Sequence, residues 1–143
     1  MATVAIDRRV RLSLLWVFVM LNMIFADIIS FMSADVLRQF LEGRAEQITI
    51  TPSFQLLVAV VTEVPIAMVV LSLVLPQRAA RWANIVAAVL TIAYVLGGGA
   101  LSAPHYVFIA GIETLACVVI VWTAWTWREH RETVPSRAAV TAE

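Results

Sequence analysis

Four long apolar runs, separated by short polar breaks, set the plan of this chain. They cover residues 12–32, 54–75, 82–101 and 106–127. A helix rising 1.5 Å per residue needs about 20 residues to cross a hydrocarbon core of about 30 Å, and each run meets that length. Little sequence remains outside them. The pattern therefore predicts a single all-α membrane domain over 1–143, a bundle of four transmembrane helices, with residues 133–143 as a disordered small and polar tail.

The polar breaks carry their own signals. Between the first two runs, Val36, Leu37, Phe40 and Leu41 recur at helical spacing opposite Asp35, Arg38, Gln39 and Glu42. Ser33 suits the N-cap and Gly43 the stop, so a short amphipathic helix is expected on the external side, lying in the interface or folded over the bundle mouth. Gln47 to Thr51 reads as an extended connector, and Thr51-Pro52 as the N-cap and first turn of the second span. Pro76 to Arg81 is a tight basic link. Gly97-Gly98-Gly99 closes the third span, and Pro104-His105 precedes the fourth.

Composition agrees with a membrane class: 62% of residues are hydrophobic, against about 45–50% in soluble domains. Formal charge is zero and every basic residue is arginine, so no basic stripe exists to neutralise phosphates and nucleic acid is excluded as a partner. Arg8, Arg9, Arg11, Arg78, Arg81, Arg128, Arg131 and Arg137 fall on one side of the predicted membrane, and only Arg38 and Arg44 on the other. Basic residues stay inside, which places both termini in the cytoplasm. The arginines before the first run resemble a signal n-region, but that run is too long for a cleavable signal and reads as the first span. Trp16, Trp82, Trp122, Trp125 and Trp127 gather at the same end as an expected headgroup belt. Cys117 is the only cysteine, so no disulfide or CxxC pair can form within the chain, and it reads as a small core residue.

Candidate chemistry comes from three acids inside the spans. Ionisable groups at membrane depth are costly and mark function or a specific partner. Counted from the external ends at 1.5 Å per residue, Asp27 lies about 8 Å deep, Glu113 about 10 Å and Glu63 about 13 Å. Asp27 lies on a stripe with Ser13, Trp16, Met20, Met23 and Ser30. Small residues flank the other two, Ala59 and Ala67 around Glu63, Ala110 and Cys117 around Glu113. The expectation is one acidic pocket in the outer half, lined by all three and partly lidded by Ser33 to Gly43.

Asn22, Asn84 and Tyr94 are added as polar members of that site, although a mid-helix amide such as Asn22 more commonly bonds a neighbouring helix or chain. Pro65, two residues after Glu63, is expected to kink its helix beside the acid. No basic residue lies inside the spans, so three close carboxylates cannot all stay ionised. They can share protons, hold a cation, or meet a basic group from outside, for which Arg38, Arg44 and His105 are the nearest candidates. The alternative is that they act as interhelical hydrogen-bonding groups that fix the packing.

The segments WVFVMLNMIFADIISFM (Trp16 to Met32) and TEVPIAMVVLSLVLP (Thr62 to Pro76) resemble a bacterial domain-of-unknown-function family of small four-helix membrane proteins. The likeness covers the chain up to its tail and implies that Asn22, Asp27, Glu63, Pro65 and Asn84 belong to the family's pattern. It implies a place in the bacterial inner membrane and no activity. Glu63, Pro76 and Arg78 also resemble a pattern of DoxX-like membrane proteins. Small multidrug transporters share the size and a membrane glutamate, but none of these acids lies early in the first helix as that family requires.

Three functions are in view. The first is binding or transport of a proton, a cation, or a small cationic or lipophilic ligand at the acids. The second is an accessory subunit, assembling with itself or with a larger membrane complex. The third, ranked last, is a membrane enzyme using one acid on a lipid-like substrate. No HExxH, GxGxxG or Cys/His spacing occurs, so no catalytic residue, metal or cofactor is expected.

Overall fold

A computed structural model describes residues 7–45, 48–97 and 104–127. Five helices and one two-stranded ribbon follow in the order α1 (Arg8–Phe31), α2 (Ala34–Leu41), β1 (Arg44–Ala45), β2 (Ile48–Thr49), α3 (Pro52–Val74), α4 (Gln77–Gly97) and α5 (Pro104–Trp125). Helices α1, α3, α4 and α5 are long and apolar enough to cross a membrane. They form a four-helix ring in which α1 packs on α3, α3 on α4, α4 on α5 and α5 back on α1.

Local chemistry fixes most boundaries. Helix α1 starts four residues earlier than the apolar run because Asp7 caps it, its side chain accepting from Arg9 N at 3.0 Å. Thr51 caps α3 by accepting from Phe54 N at 3.2 Å, with Pro52 in the first turn as predicted. Gly43 follows α2 at φ +73°, a left-handed stop open to glycine at no steric cost. Helix α4 reaches back to Gln77, so the expected basic link shrinks to Leu75 and Pro76; Ala80 N donates to Pro76 O at 2.9 Å as the first turn closes. Where an extended connector is expected, Arg44 pairs with Thr49 and Ala45 with Ile48 in an antiparallel ribbon. Of the glycines expected to close the third span, Gly97 ends α4, while Gly98, Gly99 and the tail expected at 133–143 lie outside the described residues.

The two halves of the ring are built differently. In the half that holds the start of α1, Leu12, Trp16, Val19, Met68, Ala87, Ala88, Ala116, Cys117 and Ile120 form a buried core. The alanines let the backbones approach closely, which is how apolar helices gain packing contacts without a hydrophobic drive between them. Asn84, fully buried, ties three helices together at this level. Its Oδ1 accepts from Trp16 Nε1 at 2.7 Å, across the ring, and lies 3.1 Å from Ser72 Oγ, whose single proton is shared with Met68 O at 2.6 Å, while its Nδ2 donates to Ala80 O at 2.8 Å.

Trp16 is therefore not a headgroup anchor. It shares the inward face with Leu12 and Val19 and is completely buried, whereas Trp82, Trp122 and Trp125 are exposed. Arginines fasten the same end. Arg8 Nη1 donates to Thr126 O at 2.8 Å, and Arg9 Nη1 donates to Leu73 O at 2.9 Å and Leu75 O at 2.6 Å. These carbonyls are the unpaired acceptors at the ends of α5 and α3, where a cation also meets the negative end of the helix dipole. Arg9 additionally lies over Trp127, and Arg81 over Trp125.

Candidate functional site

The other half of the ring is hollow. A cavity of about 100 Å³ is lined by Met20, Met23, Ile24, Ala26 and Asp27 of α1, Thr62, Pro65 and Ile66 of α3, Tyr94 and Val95 of α4, and Tyr106 and Glu113 of α5. All four long helices contribute. A water needs about 10–15 Å³ by this measure, so there is room for several, or for one small cationic head group. Exposed Ile24 and Ile66 give it a rim on the outside of the bundle, between α1 and α3.

Glu113 is the polar centre of this cavity. Ile109, Ala110, Glu113, Ala116, Cys117 and Ile120 repeat at three and four residues, and all are buried. Glu113 is only 3% exposed, and its Oε1 is buried without a hydrogen-bond partner. A buried polar atom left unpaired costs on the order of 1–3 kcal/mol, so the arrangement calls for an explanation beyond packing. Asp27 lines the same cavity from α1 but is itself exposed, because the inward position on its turn belongs to Ala26. Two acids thus share a cavity, with two tyrosines beside them.

The third acid does not join them. Pro65, Met68 and Ser72 are the buried residues of α3, and at 100° per residue Glu63 lies roughly 140–180° away from them. The stripe of Ala59, Glu63 and Ala67 faces away from that side, with Ala59 and Glu63 exposed on the outside of the bundle. Small flanking residues point to a close approach, but not to which neighbour makes it. Pro65 lines the cavity, and α3 continues through it; lacking an N–H, it leaves the Val61 carbonyl without its helical donor.

The remaining predicted members scatter. Asn84 is held in the packed half and does not line the cavity. Asn22 is half-buried and donates to Phe18 O of its own helix at 2.8 Å. Tyr94 does line the cavity. Of the possible counter-charges, Arg44 pairs with Glu42 beside it, Arg38 is exposed on α2, and neither lines the cavity. His105 is half-buried, its Nε2 lying 3.3 Å from Ser30 Oγ, whose hydroxyl donates to Ala26 O.

Helix α2 is no lid. It packs on the end of α1 and on β1, with Phe40 stacked at a tilt on Phe31, and none of its residues lines the cavity. Tyr106 was missed, although Tyr106, Ile109, Ala110 and Glu113 stand at the spacing of one helix face. Among the described residues, no group of three or more His, Cys, Asp or Glu is arranged to hold a metal ion.

No curated protein and no solved structure matches this chain. Nothing in these comparisons ties it to DoxX-like proteins. The model of one family, described as a family of unknown function (DUF6326), matches residues 3–134. With that match running through every helix and the whole of the hollow half, the chain belongs to the DUF6326 family.

Proposed function

We propose that this is a multi-pass protein of a bacterial inner membrane, with both termini cytoplasmic, whose outer-half pocket binds a cationic species. That species is a proton, a cation, or a small cationic or lipophilic ligand. One observation carries the reading: Glu113 and Asp27 line one cavity, and the buried Oε1 of Glu113 has no partner there. A cation between them would supply the missing partner once the Glu113 carboxyl turns its Oε1 toward the cavity. The eight-to-two arginine split supports the orientation.

The test is thermal stability of the detergent-purified protein across pH and a panel of inorganic and organic cations. Wild type should be stabilised by at least one of them, and Asp27→Asn and Glu113→Gln should each remove that response. Amide variants that respond as wild type does would sink the reading.

A second reading, assembly into an oligomer, is favoured by Glu63. Helix α3 is the least buried of the four, and it turns this carboxyl outward at about 16 Å from its own start. A carboxyl facing hydrocarbon is expensive. Apposition of the same α3 face from a second copy would bring two Glu63 carboxyls within hydrogen-bonding reach of each other, with Ala59 allowing close approach. Ala59→Cys should then cross-link between copies under oxidation, and Glu63→Leu should weaken the yield. A monomeric mass with no cross-link refutes it.

A further inference from the structure

A second cavity adjoins the acidic one. It measures about 260 Å³ and is lined by Met23, Val61, Val64, Pro65, Leu90, Thr91 and Tyr94. Met23, Pro65 and Tyr94 line both cavities, so the two are neighbours across a shared wall. Their chemistries are opposite. The first holds two carboxyls and two tyrosines. The second is apolar, and the hydroxyl of its Thr91 is already committed to Ala87 O at 2.9 Å.

Building on the cation-binding reading, we infer that the ligand is an amphiphilic organic monocation, its ammonium head in the Asp27–Glu113 cavity and its apolar body in the adjoining one. Asp27 and Glu113 supply the charge complement. Tyr94 and Tyr106 supply aromatic groups of the kind that recognise quaternary ammonium, a cation that cannot donate a hydrogen bond and is held by charge and by π faces. An apolar cavity of about 150 Å³ accommodates benzene, so the larger second cavity takes a phenyl or benzyl group. The Met23 thioether, in the shared wall, is flexible enough to fit around the junction. The rim at Ile24 and Ile66 opens between α1 and α3, which faces such a molecule toward the lipid it would come from.

The experiment compares two probes, tetramethylammonium and benzyltrimethylammonium, binding to the full-length protein in detergent, with free concentrations corrected for uptake by empty micelles. Wild type should bind the benzyl compound at least about tenfold tighter, since burying apolar surface of one ring is worth that or more. In Val64→Phe, which fills the apolar cavity, the ratio of the two affinities should fall toward one. Leu90→Phe repeats the test from α4 if the first variant fails to fold.

A wild-type ratio near one, with both probes bound, overturns this inference while the cation site stands. An unchanged ratio in the folded filling variants also overturns it. If neither probe binds wild type, this inference is overturned whether or not the cation reading survives on protons or inorganic ions.

Discussion

Replacing Asn84 by Ala is expected to destabilise the bundle by about 3 kcal/mol, the largest loss for any single polar side chain in the protein. The substitution strips the buried Trp16 Nε1 of its acceptor, removes the longer of two acceptors beside Ser72 Oγ, and leaves a void where α1, α3 and α4 meet. Each consequence alone is worth about 1–2 kcal/mol in an interior of this kind. Equilibrium unfolding in mixed micelles measures it, with Asn22→Ala as the contrast. The Asn22 amide turns back onto the Phe18 carbonyl of its own helix, so its loss should cost under about 0.5 kcal/mol. Equal effects from the two substitutions would mean that Asn84 is not the tie between helices described above.

Glu113→Leu should act in the opposite direction. Leucine is of similar size to glutamate and has no atom that needs a partner, so the buried, unpaired Oε1 ceases to be a liability. We expect a gain of about 1–2 kcal/mol in the same unfolding assay, together with complete loss of cation-dependent stabilisation. A gain in stability paired with a loss of binding is the mark of a group kept for function. A residue kept for packing would lose stability on replacement. Unfolding of Glu113→Leu below wild type therefore argues that the carboxyl holds the helices together.

Much of this architecture was legible in the sequence because hydrocarbon permits so few solutions. An apolar run of about 20 residues must be a helix, and four such runs leave only their order and packing to settle. Thr51-Pro52 and Gly43 marked their boundaries through local backbone chemistry alone. Glu113 was legible as inward-facing because its stripe pairs small and apolar residues on a single face. Glu63 presented the same signal and faces the other way. In lipid both faces of a helix are apolar, so the contrast that orients a helix in water is absent, and small residues mark any close contact, internal or external. Asn84 was read as part of the ligand site for a related reason. A polar atom inside a span shows that it has a partner, while its identity, here Trp16 across the ring, is a tertiary fact.

A chamber hollow at one end and plugged at the other behaves as a cul-de-sac. Whatever enters beside Asp27 meets, a few turns further in, a floor of alanine and tryptophan stitched by Asn84. Passage to the far face would require the Trp16–Asn84 stitch to part and the arginine clasps at Leu73, Leu75 and Thr126 to slacken together. If the proposed cation occupies the acidic cavity, the packed half stands between it and the opposite end of the bundle.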